Sequence, residues 1–370
     1  MDKIQMVDLN GQYQHIKHDI DQGIQQVIDS CAFINGPQVK QLRSELAAYH
    51  NCSHAITCAN GTDALQIALM AIGAEPGDEV IVPDFTFIAT AEVIALMKLK
   101  PIFVDVNPDT FLIDIEQVKA AITDKTKAII PVNLYGQCAD IQALMNMASN
   151  KGIYIIEDNA QAIGSDLIIN GEKQKSGTVA HIGCTSFFPS KNLGCYGDGG
   201  ALFTNDDKLA EEIACIANHG AKVKYYHDMV GVNSRLDTMQ AAILLVKLKK
   251  LDEYSTARQK AAAYYDEELA QIPQIQTPTR VNHSTHVFHQ YTLKVERRDE
   301  LKEFLQTKGI PSMIYYPVGM HQQKAYKTEG NFEHSVMLCQ TVLSLPMHTE
   351  LNTQQQDYIV SAIKDFYLEN

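Results

Sequence analysis

From about Thr57 to Asn205 the chain alternates short apolar runs with amphipathic stretches, and this alternation restricts the fold more than any other feature. The apolar runs predict strands at Glu79–Val82, Ile102–Val104, Ala128–Val132, Ile153–Glu157, Cys184–Phe188 and Ala201–Thr204. Between them, Ala64–Ile72 and Ile141–Ala148 carry apolar residues at helical spacing. Repeated strand–helix units cannot bury their apolar faces alone. They predict an α/β chain built on a mostly parallel sheet with helices on both faces.

Outside that region the pattern changes. The first fifty residues predict two helices flanking Phe33-Ile34-Asn35-Gly36-Pro37. A helical stretch runs from Leu236 to Leu269, with a break placed near Leu251. After Pro273 and Pro278 come a strand at Gln290–Val295 and helices at Asp299–Thr307 and Thr353–Phe366. We therefore expect a large domain over residues 1–250 and a smaller C-terminal α/β domain over residues 251–370. No internal repeat or low-complexity tract interrupts them.

Bulk properties narrow the partners. The net charge of -13 gives no broad support for binding a nucleic-acid backbone. An anionic ligand must then be held by a few placed cations and backbone N–H groups. The start, Met1-Asp2-Lys3-Ile4-Gln5, lacks the apolar core of a signal peptide, and no apolar run is long enough to span a membrane. The 8 cysteines form no CxxC pair, so they read as reduced thiols of a cytoplasmic protein with no metal site of cysteines.

Three local patterns carry chemistry. In Asn60-Gly61-Thr62-Asp63-Ala64-Leu65 a small turn-forming pair opens an apolar helix, where N–H groups and the helix dipole converge on an anion. The same residues also read as an ordinary capped helix start. In Tyr154-Ile155-Ile156-Glu157-Asp158-Asn159-Ala160-Gln161 an apolar strand ends in an acid, at the sheet edge where ligands bind. Asp158 could pair with a protonated ring nitrogen there, or simply cap the next helix. In Phe188-Pro189-Ser190-Lys191-Asn192 a loop after a strand presents one lysine. Such loop lysines are common. One kept from bulk water has a lowered pKa and becomes a nucleophile. Together, in this order, the three supply a phosphate cradle, a carboxylate and an amine. Those are the groups that pyridoxal 5′-phosphate (PLP) requires.

At these residues the chain resembles the DegT/DnrJ/EryC1/StrS sugar aminotransferases, a branch of the PLP-dependent transferases of fold type I (aspartate aminotransferase-like). Further matching stretches are Pro83-Asp84-Phe85-Thr86-Phe87-Ile88-Ala89-Thr90-Ala91, Pro131-Val132-Asn133-Leu134-Tyr135-Gly136 and Gly231-Val232-Asn233-Ser234-Arg235-Leu236-Asp237. The resemblance implies that Lys191 carries the cofactor and shuttles the proton. It implies that Asp158 keeps the ring nitrogen protonated and that Gln161 lies near the ring hydroxyl. Phe87 would stack on the ring, whereas Phe85 reads as core. Gly61, Thr62 and Ser186 would hold the phosphate. Asn233 would reach it from a neighbouring subunit, which implies a homodimer with shared active sites.

The implied reaction takes an amino group from L-glutamate, releasing 2-oxoglutarate, and places it on a nucleotide-linked keto-sugar. Ser186-Phe187-Phe188-Pro189-Ser190-Lys191 and Gly194-Cys195-Tyr196-Gly197-Asp198-Gly199-Gly200 resemble enzymes that aminate the C3 ketone of UDP-2-acetamido-2-deoxy-3-oxo-glucuronate. Such a role points to surface polysaccharide (LPS/O-antigen) biosynthesis. Arg235 suits a substrate carboxylate through its planar fork, or an ion pair with Asp237. Tyr316 and His321 are further candidates for sugar contact. The stretch Tyr315-Tyr316-Pro317-Val318-Gly319-Met320-His321 departs from relatives that carry His at position 315 and a Pro-Leu pair at 319 and 320. A dTDP- or UDP-linked 3-keto or 4-keto deoxysugar is therefore the alternative substrate. His283, His286 and His289, spaced by three, read as a polar loop entering a sheet rather than a metal site. PMP-dependent dehydratases of this fold carry histidine at the lysine position, so Lys191 argues against one. A non-catalytic regulatory protein is the alternative of a different class, and the set Lys191, Asp158 and Gln161 argues against it.

Overall fold

The computed structural model describes residues 3–149, 151–326 and 328–368. Two helices open the chain, α1 (Leu9–Ser30) and α2 (Pro37–His50). Pro37 sits in the first turn of α2, where a missing N–H leaves no helical bond unmade. Strands and helices then alternate: β1 (His54–Cys58), α3 (Gly61–Ala71), β2 (Glu79–Pro83), α4 (Ala89–Leu96), β3 (Lys100–Val104), α5 (Ile115–Ala121), β4 (Thr126–Ile129), α6 (Ile141–Ala148) and β5 (Tyr154–Asp158). A hairpin of β6 (Asp166–Ile169) and β7 (Glu172–Lys175) precedes β8 (Ile182–Ser186) and β9 (Gly200–Thr204). Three helices follow, α7 (Asp207–Ala217), α8 (Thr238–Leu248) and α9 (Leu251–Leu269), then β10 (Ile275–Gln276), β11 (Tyr291–Val295), α10 (Arg298–Thr307), α11 (Glu333–Thr341), β12 (Val342–Leu345) and α12 (Thr353–Leu368).

The main sheet has seven strands in the order β1-β9-β8-β5-β4-β2-β3. The five from β8 to β3 run parallel, and β9 runs antiparallel to both β8 and β1. Consequently β1, β5 and β8 all point their carboxyl ends at one edge, the edge at which α/β sheets bind ligands. That edge receives Cys58, Asp158 and Ser186. The inner strands β2, β5 and β9 are buried along almost their whole length, as the apolar runs require, while the edge strand β3 begins exposed. Ile67, Val80, Val82, Ile156, Ile182 and Leu202 form one core under α3, and Ile81, Ile129, Leu144 and Ile155 another under α6.

A second sheet, β10-β11-β12, is antiparallel and packs against α9, α10 and α12. Its core contains Tyr265, Tyr291, Leu293, Leu301, Leu305, Ile359 and Ile363. The helical run expected from Leu236 begins at Thr238 and is divided between Leu248 and Leu251, next to the expected break. Strand β4 stops at Ile129, short of Val132, yet Ile130 N–H still donates to Ile81 O (2.8 Å). No described helix is long and apolar enough to cross a membrane.

Candidate active site

At the ligand edge the turn from β1 into α3 is tightly specified. Asn60 Oδ1 accepts the N–H of Asp63 (2.8 Å) and caps α3. Ser234 Oγ accepts the N–H of Ala59 (3.0 Å) and donates to Asp63 Oδ2 (2.6 Å), so the whole turn is tied to the chain ahead of α8. Gly61 lies against Ser186, and a Cβ on it would stand 2.7 Å from Ser186 Cβ. Only glycine lets the start of α3 approach the end of β8 this closely. The Asp63 N–H is taken by Asn60, but those of Gly61 and Thr62 precede the first intrahelical bond, and beside the Ser186 hydroxyl they can receive an anion.

Asp158 ends β5 and is buried among apolar strands. Thr90 Oγ1 donates to its Oδ2 (2.7 Å) and Ala160 N–H to its Oδ1 (3.2 Å). Burial pushes its carboxyl above the usual range, while these two donors and the charge of Lys191 oppose that rise. No helix follows Asp158 directly, so it caps none: its Oδ1 receives an N–H two residues on within a turn, and the residue lines a cavity. Gln161, one turn later, is fixed by the N–H of Tyr135 to its Oε1 (2.8 Å), which aims its Nε2 at Tyr316 Oη (3.0 Å). Burial holds the Tyr316 phenol protonated, well above its ordinary value.

Lys191 follows β8 in a tight turn closed by its N–H to Phe188 O (2.8 Å). Burial lowers its ammonium to about 8, with Asp158 pulling the other way. A lysine in this state is part amine at neutral pH, as a carbonyl-directed nucleophile requires. Lys191, Asp158, Gln161, Gly61, Thr62, Ser186, Phe87 and Tyr316 line a single cavity of about 670 Å³. Phe87 is 52% exposed and faces that space, with its ring centroid 6.1 Å from that of Tyr316. Phe85 is 1% exposed and belongs to the core, as read from the sequence.

These residues fit PLP in kind: an anion cradle, a buried carboxylate, an amine poised near neutrality and an aromatic face. Two lining atoms are also buried without any hydrogen-bond partner, Thr86 Oγ1 and His289 Nδ1. Neither residue was singled out as a site residue from the sequence. Thr86 sits beside Phe87 in the matching stretch, so that stretch could have pointed to it. His289 has no local signal, because long-range folding brings β11's approach to the cavity.

Three candidates lie outside the cavity lining. Asn233 is exposed and Arg235 half-buried on the chain between α7 and α8. His321 is taken by Asp84: its N–H donates to Asp84 Oδ1 (2.7 Å) and its Nδ1 lies 2.7 Å from Oδ2. With Met320 N–H on Asp84 O (2.9 Å), this clamp fixes the loop that carries Tyr315 and Tyr316. The three histidines do not converge either. His283 contacts Cys138 O (3.1 Å), His286 stacks on Phe288, and only His289 reaches the cavity.

Residues 14–364 match the DegT/DnrJ/EryC1/StrS aminotransferase family. A Geobacillus stearothermophilus protein named a pleiotropic regulatory protein is 48% identical, over 98% of each chain. The UDP-2-acetamido-2-deoxy-3-oxo-D-glucuronate aminotransferase of Pseudomonas aeruginosa is 47% identical, over 97% of this chain and 99% of its own. An Acidithiobacillus ferrooxidans 3-aminotransferase for UDP-N-acetyl-3-dehydro-α-D-glucosamine is 44% identical, over 98% and 97%. Among solved structures, NtdA of Bacillus subtilis, with the cofactor PMP bound, superposes with a TM-score of 0.92 at 30% identity, covering 100% of this chain and 86% of that one. This chain, an α/β protein with a mostly parallel sheet and a cofactor-sized cavity at its carboxyl edge, belongs to the DegT/DnrJ/EryC1/StrS aminotransferase family.

Proposed function

We propose that the chain is a PLP-dependent aminotransferase that converts the C3 ketone of a UDP-linked 2-acetamido sugar to an amine, with L-glutamate as donor. The 3-oxo-glucuronate is the favoured substrate, and surface polysaccharide synthesis the setting. One observation carries the reading: a lysine lowered to about 8 opens on the same cavity as a buried carboxylate. The two UDP-sugar relatives differ at the sugar's carboxylate but share amination at carbon 3, which supports that carbon over carbon 4. A dTDP- or UDP-linked keto-deoxysugar is the second reading, because Tyr315 lies at the cavity where relatives carry histidine.

PLP, when bound, supplies a cationic ring that makes a neighbouring amine carbon acidic. The chain does the rest. Asp158, once ionised by a cationic partner, holds a proton on the ring nitrogen. Thr90 keeps that carboxylate oriented through its 2.7 Å bond. Lys191 Nζ takes a proton from the amine carbon and returns it elsewhere, and a pKa near 8 suits both directions at neutral pH. Phe87 covers one face of the cavity and excludes water there. Asn233, exposed and outside the cavity lining of its own chain, reaches the site of a second copy of the chain, which makes the working unit a homodimer.

The test is a spectrum followed by a product. PLP-loaded protein should lose its band at the visible edge on adding glutamate and regain it with 2-oxoglutarate. Incubation of the aminated protein with keto-sugars should then yield, by mass spectrometry, the 3-amino UDP-sugar. A band indifferent to glutamate and to other amino acids would favour the regulatory alternative.

A further inference from the structure

Tyr135 lies outside the lining of the Lys191 cavity, yet three of its groups hold residues that line it. Its N–H donates to Gln161 Oε1 (2.8 Å), its carbonyl accepts the N–H of Gln290 (3.3 Å), and its phenol donates to Tyr315 O. Gln161, Gln290 and Tyr315 all line the cavity. They come from the turn after β5, the approach to β11 and the loop ahead of α11, so one residue ties together three segments that are distant in sequence. Gln161 closes the circuit, because its Nε2 donates to Tyr316 Oη (3.0 Å).

This arrangement is maintained against conformational strain. Tyr135 is 2% exposed and holds a left-handed φ of 58°, which a bulky side chain seldom adopts. Its ring packs edge-on against Phe111, with centroids 5.3 Å apart, in a core shared with Phe85 and Leu338. Gly136, next in the turn, has a φ of 116°, and a Cβ there would stand 2.8 Å from Phe288 N. Burial pushes the Tyr135 phenol well above its ordinary value, so its hydroxyl remains a donor. The circuit also orients the hydrogens. Gln161 Oε1 accepts from a backbone N–H, so Nε2 is the donor and Tyr316 Oη the acceptor. The hydroxyl hydrogen of Tyr316 is then left for an acceptor in the cavity.

We propose that Tyr135 is a positioning residue for the keto-sugar: its phenol, through the Tyr315 carbonyl, holds the Tyr315–Tyr316 pair at the cavity, with the Tyr316 hydroxyl presented to a sugar oxygen. The cofactor and glutamate depend on this phenol much less. Asp158 is held by Thr90 and Ala160, the Lys191 turn by Phe188 O, and Gln161 by the backbone N–H of Tyr135, which a change of side chain leaves in place. A nucleotide-linked sugar is larger than glutamate and must run along the cavity wall beyond the reacting atoms. This inference rests on the keto-sugar reading above.

The two half-reactions of the PLP-loaded protein separate these roles. Both are read as loss of the band at the visible edge, one with L-glutamate and the other with the UDP-linked 3-amino sugar, which runs the sugar half-reaction backwards. Tyr135→Phe keeps the ring, the turn and the backbone N–H, and loses the phenol bond. The half-saturating concentration of the amino sugar should rise about 10-fold, while that of glutamate and the Kd for PLP stay within about twofold of wild type. An amino-sugar value equal to wild type, or both half-reactions weakened alike, overturns the assignment. Should Tyr135→Phe not fold, a crystal structure of the wild type with the amino sugar decides. Tyr315 or Tyr316 should touch the sugar, and a sugar bound clear of both overturns the assignment. A wild type that loses its band with glutamate but keeps it with the amino sugar would overturn the proposed substrate instead.

Discussion

Gly61→Ala is expected to separate cofactor binding from stability. The new Cβ would lie 2.7 Å from Ser186 Cβ, 3.2 Å from its Oγ and 3.3 Å from its Cα. Comfortable carbon separations are about 3.5–4.0 Å, so the start of α3 and the end of β8 must part by about an ångström. Neither side yields easily. Asn60 and Ser234 pin the helix start, and Ser186 is paired with Gly200 of β9. The overpacking costs about 1–3 kcal/mol, and alanine's better helix propensity returns up to about 1 kcal/mol. Stability should fall only modestly. The phosphate, in contrast, loses the alignment of at least one charge-assisted hydrogen bond, about 1.5–3 kcal/mol. The Kd for PLP should then rise by about 10- to 150-fold. Absorbance titration of the apo variant measures this, with phosphate-free pyridoxal as the control whose affinity should hardly change. A folded Gly61→Ala chain with wild-type PLP affinity would refute the cradle.

Other perturbations probe the remaining parts. Lys191 titrates at about 8 in the fold against 10.5 unfolded, so the cost of burying its charge is full below about pH 8 and is relieved as pH rises to 10.5. Apo Lys191→Met should accordingly be more stable than apo wild type by about 2–3 kcal/mol at pH 7 in urea unfolding, with the gap closing above pH 10. Equal stability at pH 7 would contradict the burial of that charge. Asp158→Asn should slow the glutamate half-reaction at least about 100-fold while PLP still loads, read by single-turnover absorbance. Mixing Asn233→Ala and Lys191→Ala chains should restore activity in heterodimers, since one of the two sites regains both residues; verified heterodimers without activity would count against shared sites.

Much of this arrangement was legible because it depends on local pattern. The buried strands of the main sheet read as apolar runs, and Asp158 was found because β5 ends in polar residues at the ligand edge. Other parts had weak signals or none. Strand β1 (His-Ala-Ile-Thr-Cys) is too polar at its start to stand out. The β6–β7 hairpin does carry one: Asn170-Gly171, both at positive φ, is a two-residue turn signal. The antiparallel course of β9 has no residue signature, since direction in a sheet is set by connections. The partner of His321 and the place of His289 were hidden for a related reason. Asp84 and His321 meet across 237 positions, and Lys191 and His289 share a cavity only after the second sheet packs on the first.

The most direct test of the central claim is where the cofactor attaches. Among the described residues two lysines, Lys191 and Lys247, are lowered to about 8 by burial, and of these only Lys191 lines the cavity with Asp158. Borohydride reduction of PLP-loaded protein, followed by peptide mass spectrometry, should put the pyridoxyl label on Lys191 alone. A label on Lys247, or one spread over surface lysines, would contradict the account.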